Sequence, residues 1–130
     1  MIDKVFYEKG IRFVFSARAK VPFILKEDGS KFFDDAYTFV PGKDEFIRKG
    51  TKGYIVSYGD MLYRSLDAVE RFREEGIDVG LINKATLNVV DEQAIKEIGA
   101  TGFVLVVESL NQKTALGSKV GLPTFMSSCD

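Results

Sequence analysis

Three short stretches hold the side chains best placed to act on a ligand: Gly59-Asp60, Asn83-Lys84 and Glu108-Ser109, each following an apolar run, with Leu116-Gly-Ser118 soon after. If those runs are parallel strands, all three stretches lie at the carboxyl edge of one sheet, where open α/β folds bind ligands. Gly59 resembles a phosphate-binding turn, because the first turn of a helix leaves N–H groups unpaired and attracts anions. Asp60 opposes that use. It puts a negative charge where a phosphate needs the helix dipole, and no GxGxxG or P-loop accompanies it. A tight turn with a carboxylate at the helix entry is the alternative. Glu108 would serve as a general acid or base if desolvation raised its pKa. Against that stands a carboxylate that is solvated or caps a neighbouring helix.

The chain has no histidine. Ser-His and Cys-His nucleophilic pairs are therefore excluded, and a zinc site is not expected. Chemistry would have to run on carboxylates, lysines, tyrosines or a cofactor. A net charge of -1 argues against nucleic acid or a membrane surface as the main partner. The single cysteine, Cys129, has no internal partner, no apolar run reaches spanning length and no signal peptide is expected, so the expected compartment is reducing and cytoplasmic.

The elements that would position these residues follow from periodicity. Tyr54–Tyr58, Val79–Ile82 and Phe103–Val107 are near-continuous apolar runs, as in parallel strands covered on both faces. Between the first two, Leu62, Leu66, Val69 and Phe72 recur at helical spacing from Asp60 to a glycine stop at Gly76. Between the last two, Asp91 is placed to cap a helix with Ala94, Ile95 and Ile98 inward, ending at Gly99. This strand–helix alternation makes residues 51–130 an α/β domain. Residues 1–50 differ, with eight of the eleven phenylalanines. Ile11–Ser16 alternates as a strand and Val21–Leu25 as a short edge strand. Lys26-Glu-Asp-Gly-Ser30 reads as a turn, and 32–50 as an irregular linker. This half is expected either to pack on something else, a missing domain or another copy, or to form a satellite core over one face of the sheet.

The run Gly53-Tyr-Ile-Val-Ser-Tyr-Gly-Asp60, the Glu75-Gly-Ile77 stop, Thr86-Leu-Asn-Val-Val-Asp91 and Phe103-Val-Leu-Val-Val-Glu108 together resemble the C-terminal domain of transketolases and their thiamine-diphosphate-dependent relatives. Val89 stands where the family usually has proline, and Ala115 replaces a glycine of its T-G-G-x-G-S helix entry. The resemblance implies a three-layer open sheet, mostly parallel, with one or more antiparallel edge strands. It makes residues 1–50 the end of the preceding pyrimidine-binding domain plus a linker. Ser16-Ala-Arg-Ala-Lys-Val-Pro22 then resembles the family's Ser-Arg-Gln-Asn element, which implies that Arg18 binds a substrate phosphate. Guanidinium gives a planar, two-pronged match to phosphate. An exposed surface arginine is the alternative, since Ala17 and Ala19-Lys20 depart from the pattern.

Thiamine diphosphate and Mg²⁺ are the parent family's cofactors, but its Gly-Asp-Gly…Asn motif and activating glutamate are not in this sequence. The chain alone is therefore expected to hold no cofactor and to be inactive. Its expected role is to support the catalytic domains of a transketolase-like enzyme and to help form a homodimer. The alternatives are a stand-alone regulatory or protein-interaction module, or the same domain of a deoxyxylulose-phosphate synthase or of the β chain of a 2-oxoacid dehydrogenase. After Gly121 the family continues with a helix and a strand, and Pro123 argues against a helix there.

Overall fold

A computed structural model of the chain describes residues 1–109 and 116–117. In chain order these form α1 (Ile2–Phe6), β1 (Glu45–Arg48), β2 (Gly53–Ser57), a 3₁₀ turn (Gly59–Met61), α2 (Leu62–Glu74), β3 (Val79–Asn83), α3 (Glu92–Gly99) and β4 (Val104–Val107). The sheet order is β1-β3-β2-β4. The inner strands β3 and β2, with β4, are parallel, and β1 runs antiparallel along β3. The expected open sheet with an antiparallel edge is therefore present, and the edge strand is β1.

Side chains alternate between two cores because successive residues of a strand point to opposite faces. Ile47, Ile55, Val79 and Leu81 pack under Leu62, Leu66 and Val69 of α2. Tyr54, Val56 and Ile82 pack against Ile95 and Ile98 of α3 and against Leu116. Each such buried aliphatic side chain contributes about 1.5–3 kcal/mol. Helix α2 ends before Gly76, whose φ of 79° lets the chain turn back toward β3. Its predicted buried face is one residue too long. Phe72 is 36% exposed, and in the last turn the side chain that reaches the sheet is Arg73, which donates Nε to Val79 O at 3.3 Å.

Residues 1–50 depart most from expectation. Ile11–Ser16 is not a strand, and Phe13 and Phe15 are each 80% exposed. Alternation gives a strand only where a neighbouring strand can take its N–H and C=O groups, and among the described residues none lies there. Of Val21–Leu25, only Leu25 pairs, in a single bridge to Lys31 across the expected turn. The supposed linker contains β1, a four-residue strand too short and too charged at its ends to stand out. Residues 24–45 are the satellite core: Ile24 and Phe39 are buried, and Phe32 packs on the α2-side cluster. Residues 1–23 remain exposed apart from half-buried Val5, and include Phe6, Tyr7 and Phe23. Cys129, Pro123 and all of the Lys113–Ser118 helix entry except Leu116 and Gly117 lie outside the described residues.

Candidate functional site

The carboxyl ends of β2 and β4 bring three of the singled-out residues together. Glu108 follows β4, and its two oxygens accept backbone N–H groups: Leu116 N to Oε2 at 2.9 Å and Gly117 N to Oε1 at 3.2 Å. Tyr58, which follows β2, donates its hydroxyl to Oε2 at 3.2 Å. Burial, and then the carboxylate beside it, pushes the Tyr58 phenol above its ordinary pKa, so it stays a donor. Residues 116 and 117 are helical, so Glu108 is a helix-binding carboxylate spanning from strand to helix.

Gly59 has a φ of 61° and opens the 3₁₀ turn that leads into α2. Asp60 is exposed and makes no side-chain cap; it accepts the Ser109 hydroxyl at 3.4 Å. The turn therefore presents a carboxylate to the strand ends. Ser57 donates its hydroxyl to Val107 O at 2.9 Å, and its own carbonyl takes the Lys84 N–H at 2.9 Å. These bonds extend the sheet past its last strand residues.

A second polar cluster lies at the end of β3. Lys84 and Asp44, each with a side chain only 3% exposed, form an ion pair at 2.6 Å, and Lys84 Nζ also donates to Val89 O at 2.6 Å. Asp91 accepts Gln93 N and Ala94 N as the cap of α3. Its other oxygen accepts Asp44 N at 3.0 Å, while Lys43 Nζ lies 3.2 Å from Oδ1. Burial raises the Asp91 pKa, but the Asp44 N–H, Lys43 and the Ala94 N–H outweigh it and hold the carboxyl below its usual value. For Asp44, burial outweighs Lys84 and the pKa is raised. Beside them Glu45 takes the Tyr37 hydroxyl on one oxygen and Asn83 Nδ2, at 2.7 Å, on the other. Burial and Glu45 raise the Tyr37 pKa.

Asn83-Lys84 was visible in the sequence as a strand end, but its partners were not. Asp44 lies 40 positions earlier, in residues that carry no periodic signal. Arg18 is not part of either cluster; it lies exposed in the segment before residue 24. Among the described residues no group of three or more Cys, Asp or Glu side chains is arranged to hold a metal ion. Asp60, exposed at the glycine-led helix entry, puts a negative charge where an anion would need the helix dipole. No described helix is long and apolar enough to cross a membrane.

The bonds to Glu108 set a testable cost. Glu108→Ala strips two backbone N–H groups and a half-buried phenol of their acceptor and is expected to destabilise the chain by about 1–3 kcal/mol. Glu108→Gln keeps one acceptor oxygen and should lose less. Thermal melts of both variants would check this, and an unchanged midpoint for Glu108→Ala would show that the contact is idle.

Residues 42–122 match the family described as "Transketolase, C-terminal domain". The chain is 32% identical over 103 residues to one of the subunits of the apulose-4-phosphate transketolase of Actinobacillus succinogenes, covering 76% of this chain and 33% of that one. It is 27% identical over 88 residues to the β chain of the pyruvate dehydrogenase E1 component of Bacillus subtilis, covering 67% and 27%. A solved structure titled "Split gene transketolase, inactive beta4 tetramer" superposes with a TM-score of 0.70 at 26% identity, covering 84% of this chain and 34% of that one. The chain thus spans about a third or less of the length of these relatives. The family match takes in more than half of the chain and every strand of the sheet, so the protein belongs to the transketolase C-terminal domain family.

Proposed function

We propose that this chain acts as the non-catalytic C-terminal domain of a cytoplasmic, thiamine-diphosphate-dependent enzyme of the transketolase type, supporting assembly and homodimerisation. The cofactor and Mg²⁺ would belong to catalytic domains other than this one, and the parent reaction would be ketol transfer between sugar phosphates. The observation that carries this reading is the use made of the strand-end groups. Both oxygens of Glu108 are spent on backbone amides, and Lys84 is paired and buried. A general acid or base needs a free oxygen or nitrogen within reach of its substrate. On this reading residues 1–23 complete the preceding domain, and residues from 24 onward belong to the domain described above.

Reconstitution tests it. The purified chain would be mixed with the cofactor-binding part of a transketolase-like enzyme lacking its C-terminal domain. Co-elution and recovered ketol transfer are the expected results, with pyruvate decarboxylation assayed in parallel to separate the 2-oxoacid branch. No association would sink the proposal. In the assembled enzyme Arg18→Ala is expected to raise KM for phosphorylated sugars about tenfold or more, because a charge-assisted bidentate contact is lost. KM for unphosphorylated substrates should stay the same.

A second reading, a stand-alone interaction module, is favoured by the exposed Phe6, Tyr7, Phe13 and Phe15. It predicts saturable binding to a partner that handles no sugar phosphate, and no rescue in the reconstitution.

A further inference from the structure

Residues 24–44 cross the α2-side core without regular structure of their own, apart from the Leu25–Lys31 bridge. They are fastened at both ends. At the first end Glu27 accepts from Arg73 Nη1 of α2 at 2.8 Å, but Glu27 is 71% exposed, and such a pair holds weakly. At the far end Lys43 Nζ lies 3.2 Å from Asp91 Oδ1, and three further contacts reach the loop 84–91. Gly42 N donates to Thr86 Oγ1 at 2.9 Å, Asp44 pairs with the buried Lys84, and Asp44 N donates to Asp91. Ile24 just before the first fastening, and Phe32 and Phe39 between the two, supply the buried and half-buried apolar side chains. Nothing before residue 24 adds to it, since residues 1–23 are exposed with the single exception of half-buried Val5.

We propose that residues 24–44 form a strap that unfolds from the sheet and refolds onto it as one cooperative unit, its internal turns included, with the 84–91 loop as its strong anchor and the Glu27 end as its weak one. The asymmetry follows from burial: the anchor's charges are desolvated and directional, while the Glu27 pair is screened. Opening exposes the part of the α2-side cluster, its seat, on which Ile24 and Phe32 pack, and re-aims residues 1–23, whatever they join. The sheet stays folded during that motion, because β1 to β4 and both helices pack without the strap's apolar side chains except at this seat. Sub-global openings of this kind are cooperative and involve contiguous segments.

Amide hydrogen exchange of the whole chain tests it. Phe32 N (to Ile24 O) and Lys26 N (to Ser30 O) report the weak end; Lys43 N (to Val40 O) and Asp44 N report the strong end. Tyr54 N (to Phe103 O) and Lys84 N (to Ser57 O) report the sheet. Thr86→Val removes one hydrogen bond from the anchor while keeping size. Losing about one hydrogen bond should speed exchange at all four strap amides by a common factor of roughly 5–10, with the sheet amides unchanged. The Phe32 response is decisive, since Phe32 lies far along the chain from the substitution. A rise confined to residues 42–44 would mean local fraying, and an equal rise in the sheet would mean global unfolding; either overturns the strap. Glu27→Gln should change strap exchange by less than Thr86→Val does, and the reverse order would overturn the asymmetry. The measurement is made on the chain alone, so it stands or falls separately from reconstitution.

Discussion

Lys84→Met is expected to lower the stability of the chain by about 3–5 kcal/mol at neutral pH, because it leaves the buried Asp44 carboxylate without its cation. For a chain of this length that is a fall of roughly 10–20 °C in the thermal midpoint. It would also consume much of a typical domain's total stability. The pH dependence separates a lost charge partner from lost packing. Burial already raises the Asp44 pKa while Lys84 is present, and removing the lysine raises it further. A carboxyl whose folded pKa lies above its unfolded value of about 3.9 binds its proton more tightly in the folded state. The variant is therefore least penalised at low pH, where Asp44 is protonated in both states. The penalty grows as pH rises above the unfolded pKa and levels off once the folded pKa is passed. The gap between parent and variant midpoints should be wider near neutral pH than in mild acid. The double variant Lys84→Met/Asp44→Leu should recover most of the loss, since an apolar pair of similar size avoids both desolvation costs. It would still lack the donor to Val89 O, worth about 1 kcal/mol. A gap that does not change with pH, or a double variant no better than the single, would show that Asp44 is not the charge left stranded.

The parallel strands and both main helices were legible in the sequence because each buries a long periodic set. Leu62, Leu66 and Val69 fall on one face of α2, and Ala94, Ile95 and Ile98 on one face of α3, under the Asp91 cap that the structure shows. What escaped was everything decided between distant segments. β1 is short and ends in charged residues, and its pairing with β3 joins residues far apart in the chain. The strap's apolar side chains have no period, since they fit a surface and lie on no regular element. Alternation at Ile11–Ser16 was real in sequence and produced no strand, because a strand needs an edge to pair with. At the candidate site Glu108 was legible as a strand-end carboxylate, and so was its alternative use as a helix cap. Only coordinates tell these apart, because the choice depends on where Leu116 N and Gly117 N lie.

Glycines divide in the same way. Gly59 and Gly76 have positive φ, and a Cβ there would meet nothing within 4 Å, so their role is conformational. At Gly80, in the middle of β3, the constraint is space. A Cβ would come within 2.3 and 2.5 Å of two ring carbons of Tyr54 and 2.9 Å of Arg48 O. The ring has little room to yield. Tyr54 is 1% exposed, its hydroxyl lies 3.2 Å from Glu97 Oε1 and accepts Gly50 N at 3.3 Å, and Phe46 meets it edge-on at 5.7 Å. Gly80→Ala is therefore expected to cost about 3 kcal/mol, the upper end of the usual range for overpacking, or roughly 10 °C in the midpoint. This runs against the small gain that alanine brings where a glycine's backbone is ordinary and its surroundings open. Tyr54→Leu alone should also destabilise, by loss of ring contacts and a small cavity. In the double variant the two ring contacts are gone and only the approach to Arg48 O remains, so Gly80→Ala should cost less on the Tyr54→Leu background. The interaction between the two sites would then make up most of the single-variant penalty of Gly80→Ala. Additive losses would mean that the penalty arises at Arg48 O, the backbone atom of the antiparallel edge, and that Tyr54 is not what excludes a side chain from the centre of the sheet.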